Sequence, residues 1–174
     1  MLTLSDGIKI ENPRELRKGA DQLARAYRGR RKKLASRIQE RQANRRKDRN
    51  HKISRWLVEN YSTIYITNDN LKGQRKKFGK SIAEASLGNL IAMVNYKSAV
   101  HAGRKAIAVD SKNTTLTCSN CGEINESLRG FSGLAVRHWK CNHCGCEHDR
   151  DVNAAMNILH VGLGYNLNVS AMEQ

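Results

Sequence analysis

Two C-x-x-C pairs, Cys118/Cys121 and Cys141/Cys144, stand nineteen residues apart in the last third of this 174-residue chain. A structural zinc site takes four soft or borderline ligands in a tetrahedron. Two tight turns, each offering two thiolates, meet that demand, and a gap of this length is the zinc-ribbon spacing. Each second cysteine is followed by a glycine, Gly122 and Gly145. Glycine there can take positive φ and let backbone N–H groups turn toward sulfur. The competing reading is two disulfides in a secreted domain. The odd count of five cysteines and an opening without a secretory signal argue against it. The metal set is therefore Cys118, Cys121, Cys141 and Cys144, with Cys146 a spare thiol. His138, His143 and His148 could each replace a ligand, but four thiolates suffice, and the histidines read as surface or core.

Charge supplies the second constraint. The formal net charge is +15. Residues 14–55 hold 17 Lys and Arg against 4 Asp and Glu, so nearly all of the excess sits there. A helix carrying Arg25, Arg28, Arg30, Arg31, Lys32, Lys33, Arg37, Arg41, Arg45 and Arg46 presents cations along its length and should track a phosphate backbone. The plainer alternative is a solvated face or a disordered arm, the usual fate of short charge runs. A run of this length is long for that. No apolar run approaches the roughly 20 residues needed to cross a bilayer. A chain inside the cell, nucleoid-associated and without a membrane partner, is expected.

Along the chain, Leu2–Leu4 and Ile8–Ile10 alternate around Asp6-Gly7, a two-residue hairpin signal. Asn12-Pro13-Arg14-Glu15 reads as a helix start with Asn12 as cap and Glu15 at the capping-box position. Leu16, Ala20, Leu23 and Tyr27 would form that helix's apolar stripe. A second helix is expected over Leu34–Glu59, with Ile53, Trp56 and Leu57 near its end, and with the basic segment projecting. Residues 62–67 read as a strand, and Ser81-Ile82-Ala83-Glu84 as a capping box. That box opens a helix whose buried face is Leu87, Leu90, Ile91 and Val94, ending near Gly103. Ala106–Val109 reads as a short buried strand, and a last helix begins near Asp149 with Val152, Ala155, Met156 and Leu159 inward. Strand–helix–strand order suggests an α/β fold with a parallel pair.

Asp69 leaves one strand, Asp110 ends another and Asp151 opens the last helix. Carboxylates so placed can converge at a sheet edge and hold two Mg²⁺ ions for phosphodiester hydrolysis. Taken singly, each is a cap or a turn acid.

Thr114-Thr115-Leu116-Thr117-Cys118-Ser119-Asn120-Cys121-Gly122, then Cys141-Asn142-His143-Cys144-Gly145, then His148-Asp149-Arg150-Asp151-Val152-Asn153-Ala154-Ala155 closely resembles the C-terminal part of the TnpB (OrfB) family. These are RNA-guided nucleases of insertion sequences, related to the type V CRISPR effectors. Leu4-Ser5-Asp6-Gly7 and Ile10-Glu11-Asn12-Pro13 also fit, so the likeness covers about residues 4–160. It implies a RuvC-like, RNase-H-type core with three catalytic acids. The third, in a D-V-N-A-A motif, falls on Asp151. The second is a Glu in an E-N-L or E-D-L motif. Here the stretch is Asp69-Asn70-Leu71, with Asp69 in that place or, in another register, Asn68. The first lies on a strand upstream of Leu4-Ser5-Asp6-Gly7, and Asp6 belongs to the turn.

The expectation is thus an incomplete RuvC-like core over 1–113, including basic helices 13–60. A zinc ribbon at 114–148, a final helix at 149–160 and a tail at 161–174 would follow. The expected function is DNA or RNA binding without autonomous cleavage. The alternative is a Mg²⁺-dependent, RNA-guided DNA endonuclease completed by another polypeptide. A remnant, a complemented fragment and a nuclease-dead binder all fit the residues.

Overall fold

The computed structural model describes residues 2–67, 85–133, 135–165 and 167. In chain order the elements are β1 (Leu2–Thr3), β2 (Lys9–Ile10), α1 (Glu15–Lys18), α2 (Ala20–Arg28), α3 (Lys32–Asn60), β3 (Thr63–Thr67) and α4 (Leu87–Val100). Then follow β4 (Lys105–Val109), a 3₁₀ turn (Glu126–Leu128), α5 (Gly130–Gly133), β5 (His138–Lys140), β6 (Glu147–Asp149) and α6 (Arg150–Gly162). Strands pair two by two: β1 with β2, β3 with β4, β5 with β6. The chain divides into two compact units. One joins Met1–Glu11, Tyr65–Asp69 and Ile107–Gln174; the other joins Asn12–Ile64 and Asn70–Ala106. The Asp69 candidate, its alternative Asn68 and the capping box at Ser81–Glu84 lie outside the described residues. Among the described residues, no helix is long and apolar enough to cross a membrane.

The unit containing Asn12–Ile64 is helical. Residues 32–60 hold no Gly or Pro and many Lys, Arg, Gln and Glu, which explains an unbroken 29-residue α3. The α1–α2 pair runs antiparallel along its first half. Tyr27 meets Gln39, Gly19 lies against Gln42, Glu15 pairs with Arg45 and Asn12 accepts from Arg49. The basic segment is therefore the inner arm of a helical hairpin and does not project alone. Three local expectations also change. Arg14 sits at φ 54, so the helix starts at Glu15, and Asn12 turns its carbonyl oxygen to the N–H of Arg14. Ala20 and Tyr27 are exposed; Leu16, Gly19, Leu23 and Ala26 face α3. That period of three and four centres the face between Leu23 and Ala26 and leaves Tyr27 outside it.

The inward face of α3 is half polar: Ala35, Gln42, Asn50, Ser54, Leu57 and Val58 are buried. The α4 helix supplies partners. Asn50 donates to the carbonyl of Ser86 (3.1 Å) and Arg49 to that of Ala85 (3.0 Å). Lys97 donates to the carbonyl of His51 and to Ser54 Oγ, both 2.7 Å. The α4 face expected inside, Leu87, Leu90, Ile91 and Val94, is buried or half-buried, and Gly103 turns the chain at φ 71.

In the other unit, Leu2 pairs with Ile10 and Thr3 with Lys9. Leu4 N–H donates to the Ile8 carbonyl, so the loop is three residues, Ser5-Asp6-Gly7, with Gly7 left-handed at φ 88. The two-residue expectation fails because the extra residue forms a type I turn before the glycine. The strand at Ala106–Val109 is not buried: Ile107 is 40% exposed. A two-stranded ladder leaves faces and edges open that a wider sheet would cover. The core of this unit lies in the ribbon, where Leu116, Leu128 and Trp139 pack with Cys118 and Cys141.

Candidate metal centre and basic surface

The two cysteine turns repeat one another bond for bond. Cys118 N–H donates to the carbonyl of Glu123, and Cys141 N–H to that of Cys146, both 2.8 Å. Gly122 and Gly145 close each turn onto the carbonyl of its first cysteine, at φ 78 and 74. Only glycine takes that backbone without strain. The first cysteine of each turn faces the second of the other. Cys118 Sγ lies 3.7 Å from Cys144 Sγ, and Cys121 Sγ 3.6 Å from Cys141 Sγ.

All four sulfurs fall within 4.8 Å of one another. A tetrahedron with Zn–S bonds of about 2.3 Å has S···S edges of about 3.8 Å. The set can hold a metal ion and is compatible with zinc.

Backbone amides and a histidine surround the sulfurs. N–H groups of Asn120 and Cys121 point at Cys118 Sγ, and that of Cys146 at Cys144 Sγ. Burial pushes the Cys118 and Cys121 thiols upward, while the Cys146 N–H draws Cys144 down to about 5. An ion binding four thiolates must displace the protons that burial favours, so acid opposes it. His148 Nε2 lies 3.0 Å from Cys118 Sγ, and its ring rests on Trp139 at 4.6 Å between centroids. Were Cys118 a metal-bound thiolate, which only accepts, that nitrogen would carry the proton. Cys146 gives its carbonyl to the second turn, and its sulfur lies outside the four-sulfur group.

The ribbon is fastened to α6 by buried amides that hydrophobic patterning misses. Asn153 accepts from Ser119 N–H (2.9 Å) and donates to the Thr117 carbonyl (2.8 Å). Asn157, one turn on, donates to the carbonyls of Thr114 (2.8 Å) and Thr117 (2.7 Å). The buried positions of α6 are Arg150, Asn153 and Asn157, while Val152, Ala155, Met156 and Leu159 are only half-buried. The correction has a physical cause: the neighbour presents backbone carbonyls, which amides satisfy and aliphatics do not. The available signal was the i, i+4 spacing of two asparagines.

Each acid has a distinct setting. Asp149 caps α6, accepting from the N–H groups of Asp151 and Val152, both 3.1 Å. It also pairs with Lys9, which holds its carboxyl below the usual range. Arg150 is buried and donates to the Gly133 carbonyl (2.7 Å), bracing the same turn. Asp151 is thereby left uncommitted to capping; its side chain is 34% exposed, with Arg137 at 3.8 Å. Asp110 accepts from Lys112 N–H in a turn. Among the described residues, the cysteines are the one group of three or more potential ligands close enough to share an ion.

The profile of the Cas12f1-like TNB domain matches residues 88–158, which span α4, β4, the ribbon and most of α6. A Streptomyces pristinaespiralis protein named "Putative RNA-guided DNA endonuclease" is 36% identical over 94% of this chain and 43% of its own length. A TnpB-like protein of Acanthamoeba polyphaga mimivirus is 34% identical over 69% of this chain and 23% of its own length. The chain belongs to the TnpB family. It spans less than half the length of these relatives. A cryo-EM structure of a Cas12f1–sgRNA–target DNA complex has a chain superposing with a TM-score of 0.62 at 22% identity, over 87% of this chain and 43% of that one. Its likeness shows that this TnpB-family chain shares a mixed helix-and-sheet fold with Cas12f1.

In the helical unit, Arg25, Arg28, Arg30, Arg31, Lys32, Lys33, Arg37, Arg41 and Arg45 are exposed, while Arg46 is half-buried. Among the described residues, Arg45 alone of these ten has a carboxylate partner, Glu15 at 3.3 Å. Arg37, Arg41, Asn44 and Arg45 line an open groove with Glu40 and Asp48. Arg49, part of the same run, is instead bonded inward to Asn12 and Ala85.

Proposed function

We propose that this chain binds DNA or RNA electrostatically through the exposed cations of α2 and α3, with zinc holding the ribbon on Cys118, Cys121, Cys141 and Cys144. The carrying observation is the row of exposed Arg and Lys in which, among the described residues, Arg45 alone has an internal acid partner. Phosphates supply the missing counter-charge. The domain reading is kept as part of this proposal: a RuvC-like portion over 1–113, the ribbon over 114–148 and a closing helix over 149–160. A guide RNA and a further polypeptide are proposed partners, by likeness to the named relatives.

A second reading rests on Asp151, which is half-exposed and free of the capping role that Asp149 fills. Asp151 and Asp69 would be ligands for Mg²⁺, which would supply charge stabilisation for phosphodiester hydrolysis. A third carboxylate would come from outside the described residues. Here the chain's own part is to hold Asp151 at the start of α6, through the bonds of Asp149, Arg150 and Asn153.

Gel retardation with labelled oligonucleotides separates the readings. The zinc-loaded chain is expected to retard them, and the combined Arg37→Gln, Arg41→Gln, Arg45→Gln variant to bind more than about tenfold more weakly with unchanged helicity. Equal binding by the two proteins contradicts the assignment. Cleavage in Mg²⁺ that Asp151→Ala abolishes would favour the second reading.

A further inference from the structure

We propose that the turn joining α2 to α3 is a stacking site for an unpaired base of a single-stranded nucleic acid, with the Tyr27 ring as its platform. The inference deepens the nucleic-acid reading above and rests on it. Tyr27 is 55% exposed although it stands beside buried Ala26. Its hydroxyl accepts a hydrogen bond from Gln39 Nε2 across the hairpin at 3.0 Å. That bond holds the tip of the ring against the hairpin while more than half of the residue stays open to solvent. Arg28, Arg30, Arg31, Lys32 and Lys33 are all exposed within six residues of it. Arg30 adopts φ 53, left-handed, where glycine or asparagine would sit more easily.

An ordered, exposed aromatic ring among cations is the combination that binds single strands: cations take the phosphates and the ring takes a base face. A duplex hides its base faces in the stack and would use only the cations. A partner protein would be expected to meet an apolar patch, whereas here the surroundings are guanidinium and ammonium groups, which favour a polyanion.

The test uses the zinc-loaded 174-residue chain, labelled oligo-dT, oligo-rU and an abasic strand of equal length, read by fluorescence anisotropy at several salt concentrations. Tyr27→Leu is expected to weaken oligo-dT or oligo-rU binding by about 5- to 100-fold, the range of one lost stacking contact. The salt slope should stay unchanged, because no phosphate contact is lost. Tyr27→Phe keeps the π-face but loses the Gln39 bond, and should bind more tightly than Tyr27→Leu. The abasic strand should bind wild type and Tyr27→Leu alike. A loss confined to one of the two strands identifies DNA or RNA as the ligand. If Tyr27→Leu binds oligo-dT and oligo-rU as the wild type does, or loses equally on the abasic strand, the stacking site is wrong while nucleic-acid binding stands. A wild-type chain that binds none of the three strands fails the binding reading itself.

Discussion

The ribbon and the helical hairpin solve opposite problems. The ribbon, with few charges and few residues, has its turns closed by backbone bonds, its sulfurs aimed at one point and its docking amides paired with carbonyls. The hairpin is large and cationic, and buried polar atoms without hydrogen-bond partners occur in both regions: Gln42 Nε2 and Arg46 Nη1 in the hairpin, Trp139 Nε1 and Asn157 Oδ1 in the ribbon and its docking helix. The first arrangement fits a small body that depends on an ion. The second fits a scaffold that holds charge outward. Small domains that cannot build a sufficient core commonly need such a staple.

The sharpest way to break the contrast is to remove the ion. Cys141→Ala, or chelation, is expected to unfold the ribbon while α3 stays helical, since structural zinc contributes on the order of 10 kcal/mol. Elemental analysis should find one zinc per wild-type chain, and the tertiary signal of Trp139 should vanish with it. A ribbon that stays folded without metal would contradict the contrast. Next comes Asn157→Ala, which removes the side-chain donor of the Thr114 carbonyl and leaves that of Thr117 with Asn153 alone. It should cost about 2–4 kcal/mol in chemical denaturation.

Gln42→Met in the hairpin should behave differently. Its buried nitrogen has no hydrogen-bond partner, whereas that of Asn157 donates to two carbonyls, so the change is expected to stay within about 1 kcal/mol of neutral. A large loss there would show that the hairpin interior is as specific as the ribbon.

The smallest effect belongs to the Lys9–Asp149 pair. Asp149 has a lowered pKa, so its stabilisation is present above the unfolded value near 4 and is lost as pH falls through the folded value. Both groups are partly exposed, which limits the effect to about 0.5 kcal/mol. Lys9→Met should flatten the acid limb of the stability curve by that amount.

The contrast also explains what the sequence made legible. Cysteine spacing and Gly122 and Gly145 announce the ribbon because each position has one local chemical requirement. The length of α3 and the buried face of α4 follow from propensity and period, which are also local. Asn153 and Asn157 were opaque because their burial depends on carbonyls some forty residues earlier in the chain. The role of His148 beside Cys118 likewise needs the β5–β6 register, where Trp139 faces His148. Nothing in the local sequence separates Arg49 and Lys97 from surface cations, yet both are spent on carbonyls of neighbouring segments. Tyr27 read as core because its spacing matched, but the buried face turns toward Gly19 and Ala26 and leaves it exposed.

The most direct test is the salt dependence of oligonucleotide binding by the zinc-loaded chain. The nine exposed cations of the run from Arg25 to Arg45 predict that log K falls against log salt with a slope of about −4 or steeper on single strands. A flat salt dependence, or no binding at low salt, would contradict the assignment of this surface to nucleic acid.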